Sequence, residues 1–95
     1  MKIPKCLQPI LWSKSIDKLS PKNDKNYIVH QILMYGDLKS IKWLFDTYSR
    51  KGVAEVFINH PKKMYTPSAF NFAKDIVLGL EDSEFEEDRY VRTSF

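Results

Sequence analysis

The sequence predicts an all-α fold, a compact bundle of about four short helices with an N-terminal arm and an acidic C-terminal tail. Three observations predict it. Apolar residues recur at spacings of three and four in segments near residues 24–35, 38–48 and 69–80, the period of helices that bury one face. Gly36-Asp37 separates the first two segments and Thr66-Pro67 opens the last, pairs that stop and start helices. Hydrophobic residues make up 43% of the 95 and aromatics 14%, enough for one packed core and too many for a disordered chain.

Residues 1–19 read as an irregular arm. Pro4 and Pro9 interrupt it, Ile10-Leu11-Trp12 supplies an apolar cluster, and one short turn fits Ser15 to Leu19. Trp12 is expected to dock on the helical body, since a buried indole covers a large area. The body spans residues 20–80. Its first helix starts at Ser20-Pro21 or at Asn23 or Asp24 and runs to Tyr35, with Tyr27, Ile28, Ile32 and Tyr35 near one face and Val29 and Leu33 widening it. Gly36 ends it, a residue that tolerates the left-handed conformation found at helix ends. Asp37 opens the second helix, where Leu38, Ile41, Leu44, Phe45 and Tyr48 form the apolar stripe. Trp43 lies off that stripe, so it either packs against the arm, the favoured reading, or belongs to an exposed binding surface.

Ser49-Arg50-Lys51-Gly52 separates a third, shorter helix from Val53 to about Asn59. Pro61 stops it, because the residue before a proline is pushed away from helical dihedrals. A basic loop follows, His60-Pro61-Lys62-Lys63-Met64-Tyr65. Thr66 caps the fourth helix and Pro67 takes its first position. Ala69, Phe70, Ala73, Ile76, Val77 and Leu80 make its apolar face, with Gly79 as the cap.

Residues 81–95 form the tail, read as flexible. It carries 6 acidic and 2 basic side chains, whereas residues 1–80 carry 6 acidic and 13 basic, so a body of +7 precedes a tail of −4. Phe85, Tyr90, Val91 and Phe95 punctuate the acids, the pattern of a segment able to fold onto a partner.

The residues argue against an enzyme. Neither a G-x-S-x-G elbow nor a cysteine–histidine pair is present for nucleophilic catalysis. His30 lies within the first helix, where a boundary or satisfied core role is expected, and His60 lies in a loop. Cys6 is the single cysteine, which excludes an internal disulfide and favours a cytoplasmic setting. Zinc requires clustered cysteines and histidines, phosphate loops require clustered glycines, and calcium loops require a glycine turn among alternating acids. None of these patterns occurs, so no catalytic residue, metal, cofactor or small-molecule substrate is expected. No signal peptide is visible, and the apolar runs are far shorter than the roughly 20 residues that span a bilayer.

Two binding readings remain. In the first, the chain is a protein-interaction module whose aromatic anchors are Trp12, Trp43, Phe85 and Tyr90. In the second, it is a small DNA-binding regulator resembling a helix-turn-helix protein, using the loop 60–65 and the last helix. Lys62, Lys63 and Lys74 would then meet phosphates, with Ser68 and Asn71 near the leading end of the helix.

The order Leu11-Trp12, Tyr27-Ile28-Val29, Tyr35-Gly36-Asp37-Leu38, Ile41-Lys42-Trp43-Leu44, Tyr48, then Thr66-Pro67-Ser68-Ala69-Phe70-Asn71-Phe72 and Leu78-Gly79-Leu80 resembles a small prokaryotic helical family of unknown function. The resemblance covers about residues 10–80. Members of that family are typically encoded beside a nucleotidyltransferase-type (AbiEii-like) toxin gene. The resemblance therefore implies an antitoxin that binds and restrains such a toxin and has no catalytic residues of its own. Contact with promoter DNA is compatible with that role.

Overall fold

The computed structural model describes residues 3–77, 79 and 89–91. Three α-helices occur among them: α1 (Lys25–Tyr35), α2 (Leu38–Asn59) and α3 (Pro67–Asn71), the last continuing into a π-helical stretch, Phe72–Val77. Two short 3₁₀ turns, Lys5–Leu7 and Ile16–Lys18, shape the arm. The radius of gyration is 12.7 Å, close to the value of about 13 Å for a compact chain of 100 residues.

α1 is the centre of the molecule. Six consecutive residues, Ile28 to Leu33, are buried, so the helix is wrapped rather than laid on a core by one face. The arm supplies the covering: Ile3, Leu7, Leu11, Ile16 and Leu19 are all buried, and the Gln31 side-chain amide donates to the Ile10 carbonyl at 2.9 Å. A buried amide stays cheap only when it is hydrogen-bonded. From α2, Ile41, Leu44, Val53, Val56 and Phe57 complete the interior. Leu38, expected on that stripe, is instead 81% exposed, because the first residue of α2 projects from the corner before the helix reaches α1.

The start of α1 lies at the later of the two expected positions. Asp24 does not cap forward; its carboxylate turns back to accept the Ser20 N–H at 2.9 Å, and Ser20 Oγ accepts the Asn23 N–H. Together these bonds close the turn before the helix.

The expected loop between a second and a third helix is a single residue. Ser49 has φ 65° and ψ 160° inside an otherwise continuous α2, so among the described residues three α-helices, the second of them kinked, stand where four were expected. Its Oγ accepts the Gly52 N–H at 3.1 Å and caps the second half of α2. The kink lets both halves turn apolar residues to α1, Ile41 and Leu44 before it and Val53, Val56 and Phe57 after it.

Gly36 also differs from expectation. Its φ of −76° and ψ of 158° are ordinary extended values, so left-handed freedom is not why glycine stands there. A Cβ would lie 2.5 Å from the Ile32 carbonyl oxygen and 2.9 Å from Ile32 Cγ2. The corner between α1 and α2 closes too tightly for any side chain. Asp37 behaves as expected and accepts both the N–H and the hydroxyl of Ser40, at 2.9 and 2.8 Å. Thr66 likewise caps α3 by accepting the Ala69 N–H.

On the last helical segment Phe70 and Ala73 are buried; Leu80 and the side chains of Ile76 and Val77 lie outside the described residues. Gly79 adopts φ +64°. Of the tail, residues 89–91 return to the body. The Tyr65 N–H donates to the Tyr90 carbonyl at 2.8 Å, and Tyr65 pairs with Val91 as an isolated parallel bridge. Residues 81–88 and 92–95, which carry the tail's acids, lie outside the described residues. Among the described residues no helix is long and apolar enough to cross a membrane.

Candidate interaction surface

Leu11 and Trp12 are adjacent and both apolar, yet they part company. Leu11 is fully buried, while Trp12 is 63% exposed. The expected docking of Trp12 is thus made by its neighbour, and the reason is the local geometry of the arm. The Gln8 side chain bridges the loop that carries both: Nε2 donates to the carbonyls of Leu11 and Lys14, and Oε1 accepts the Ile16 N–H, each at 2.9 Å. With Gln8 fixing the loop and Leu11 plugging the core, the next side chain points outward.

Trp12 is held there by Tyr35. Their rings meet edge to face, with centroids 6.4 Å apart and planes at 66°, a favoured aromatic geometry. Tyr35 is the last residue of α1 and is itself 47% exposed, and Leu38 stands exposed across the Gly36-Asp37 corner. Large apolar side chains gathered at one corner of a small domain make a candidate interaction surface.

On the arm's other side a cleft of about 410 Å³ opens between the arm and the start of α2, lined by Cys6, Leu7, Ile10, Asp37, Ser40 and Trp43, among others. Trp43 is half-buried against the arm and edge-on to Tyr48 at 6.3 Å, in line with the packing expectation. Hydrogen bonds from Ser40 hold the Asp37 carboxyl below its ordinary pKa, so the capping residue stays charged at the cleft's edge.

The remaining aromatic anchors fall elsewhere. Tyr90 is 2% exposed, stacked on Phe57 at 4.7 Å and close to Phe70 at 5.0 Å. Its hydroxyl donates to the Phe57 carbonyl at 2.6 Å. Tyr90 is a core residue, not a surface contact, because it fills the space between the second half of α2 and α3. Phe85 lies outside the described residues.

The residues expected to meet DNA spread over different surroundings. Lys62 and Lys63 are exposed, and the Lys62 ammonium stands 5.6 Å from the centre of the Tyr27 ring, toward the start of α1. Ser68 and Asn71 are exposed on α3. Lys74 is drawn to Asp75 at 3.4 Å and lies over the Phe70 ring at 5.7 Å. With five residues before it widens, α3 offers a short outer face, and Lys62 and Lys74 turn to separate parts of the core.

Beneath these surfaces His30 is fully buried and satisfied, as a core histidine. Nε2 lies 2.6 Å from the His60 carbonyl and Nδ1 lies 2.7 Å from the Tyr65 hydroxyl. Burial lowers its pKa from 6.5 to about 4 and pushes that of Tyr65 up. Among the described residues, no three or more histidines, cysteines or acids come together as a metal site.

Gln8, which organises the Trp12 loop, was not legible as a functional residue. Its three bonds are local in sequence, but nothing in its spacing distinguishes it from a solvated glutamine. Neither a curated protein nor a solved structure matches the chain. A family model matches residues 6–57, which is more than half of the chain. That stretch holds Gln8, the Trp12–Tyr35 pair, the Gly36 corner and α2 as far as Phe57, and on it the chain belongs to DUF6922, a family of unknown function.

Proposed function

We propose that this chain is a non-enzymatic protein-interaction module that acts as an antitoxin, binding and restraining a nucleotidyltransferase-like toxin through the surface around Trp12, Tyr35 and Leu38. The observation that carries the reading is a tryptophan left 63% exposed on a loop that Gln8 and Leu11 hold in one conformation. Buried aromatic anchors dominate protein interfaces, and an anchor fixed before binding loses little conformational entropy on docking. The toxin class follows from the family resemblance, two of whose stretches, Leu11-Trp12 and Tyr35-Gly36-Asp37-Leu38, include the residues of this surface. The partner completes the arrangement by supplying an apolar pocket for the indole.

Co-expression with the product of the neighbouring gene, which this reading expects to be a nucleotidyltransferase, tests the reading. The toxin should inhibit growth alone, cease to do so with this chain, and co-purify with it. Trp12→Ser combined with Tyr35→Ser should leave the melting temperature within a few degrees, since both rings are exposed. It should weaken the complex about 30-fold or more, the loss typical of an interface hot spot of about 2 kcal/mol. A harmless neighbour that does not co-purify, or a double variant that binds as wild type does, overturns the proposal.

A further inference from the structure

The opposite end of α1 carries a second surface. Four elements meet where α1 begins. The Tyr48 hydroxyl of α2 donates to the Pro21 carbonyl at 2.6 Å, tying the kink of α2 to the turn before α1. The Lys25 ammonium lies over the Tyr48 ring at 5.6 Å and would stand 3.7 Å from a Cβ on Gly52, just beyond Arg50 and Lys51. From the arm Lys14, and from the loop 60–66 Lys62, both approach the Tyr27 ring, at 5.3 and 5.6 Å. Lys14, Arg50, Lys51, Lys62 and Lys63 are all exposed. None of these juxtapositions follows from a single run of basic residues, because the cations come from separate segments and are collected by the packing.

The acid beside Lys14 is occupied. Asp24 accepts the Ser20 N–H with one oxygen and pairs with Lys14 at 3.3 Å with the other, and the hydrogen bond from Ser20 keeps its pKa low. α1 begins here, so its dipole presents its positive end at this surface.

We infer that this end of the molecule, from Lys25 and the kink of α2 to Lys62 and Lys63, binds the phosphate backbone of nucleic acid without reading its sequence. The cations are spread over several elements and do not converge on one point, which suits a ladder of phosphates better than a single anion. A membrane surface is less well matched. Interfacial binding needs large apolar side chains among the cations, whereas the Trp12 indole is turned to Tyr35, at the far end of α1. Here the tyrosine hydroxyls are engaged instead: Tyr27 Oη accepts the Ser13 N–H at 3.1 Å, and Tyr48 is bonded to Pro21. This surface differs from the last-helix reading, since it uses the loop lysines together with the start of α1 and leaves α3 aside. It does not rest on the antitoxin reading and stands or falls separately.

The test is fluorescence anisotropy of the full chain with a labelled duplex of mixed sequence, titrated between about 50 and 200 mM salt. The expected result is binding that weakens with salt along a log–log slope of about −3 to −5, with little change between duplex sequences. Lys25→Glu with Lys62→Glu should weaken binding more than tenfold at the lowest salt and flatten the slope by about 2, one per lysine. Lys51→Glu with Lys63→Glu repeats the test on exposed positions, where folding is not at stake. Lys39→Glu with Lys42→Glu, on the first turns of α2, should leave affinity and slope unchanged. Absence of binding at the lowest salt overturns the inference, as does equal weakening by the control pair, or binding to vesicles containing phosphatidylserine without binding to the duplex.

Discussion

Tyr65 donates its hydroxyl proton to Nδ1 of His30 across 2.7 Å, in the tautomer that the bond at the other ring nitrogen imposes. The other ring nitrogen, Nε2, lies 2.6 Å from the His60 carbonyl oxygen, which can only accept. The proton must therefore sit on Nε2, and Nδ1 must be the acceptor. In this way a neutral histidine with no exposed surface ties α1 to both ends of the loop 60–65. The same Tyr65 gives its N–H to Tyr90, so one residue links α1, the basic loop and the returning segment 89–91.

That arrangement predicts a pH-dependent stability. The folded-state pKa of His30 is about 4, below the ordinary 6.5, so between these values the unfolded chain takes up a proton that the folded chain excludes. Stability should be full above pH 6.5 and fall as the pH is lowered toward 4, by about 3 kcal/mol in all. Asp24 and Asp37 are lowered from 3.8, so their contributions are lost only below that window. Urea denaturation at steps of half a pH unit measures the slope. His30→Gln should abolish it between pH 6.5 and 4, and a slope that persists in this variant would refute the assignment.

Ser49 sets two substitutions against each other. Its φ of 65° and ψ of 160° fall in a region that glycine alone enters freely, at a cost of about 1–3 kcal/mol for other residues. Ser49→Gly removes that strain and gives up a cap worth only a few tenths against glycine. It should raise stability by about 0.5–2 kcal/mol. Ser49→Ala keeps the strain and loses the bond to the Gly52 N–H, so it should lower stability by about 1 kcal/mol. Thermal melts of the pair check the kink directly; the opposite order would mean that α2 is straight.

The glycines at 36 and 52 should respond in opposite directions. Alanine at 36 drives a methyl to 2.5 Å from the Ile32 carbonyl and should destabilise by about 1–3 kcal/mol, the cost of overpacking. At 52 the nearest atom to an added Cβ is 3.5 Å away, an ordinary contact within a helix. There alanine should stabilise by about 0.5–1 kcal/mol through its higher helix propensity. Chemical denaturation of the two variants distinguishes a steric from a conformational role for Gly36.

Much of the helical framework was legible because its causes are local. Asp37 and Thr66 cap through bonds to residues three positions on, and Pro67 fixes its own dihedral. The break near Ser49-Gly52 was legible as well, although not its form: one strained residue with its own cap takes the place of a loop. The surface was less legible. Leu38 fits the helical stripe by spacing and yet stands exposed, because it precedes the first turn that touches α1. Tyr90 sits among acids in sequence and inside the core in space, joined to Phe57 at a separation of 33 residues.

The sequence by itself determined the all-α class, the positions of the corners and the charge contrast between body and tail, since periodicity, caps and composition act within a few residues of each other. Only the tertiary structure decided which aromatics are core and which are surface. Leu11 and Trp12 have the same local claim to burial, and the Gln8 bridge together with the space beside α1 admits the leucine and turns the indole to Tyr35. It likewise decided that lysines from the arm, α1, α2 and the basic loop share one end of the molecule, because their proximity depends on how four segments pack and on no pattern within any one of them.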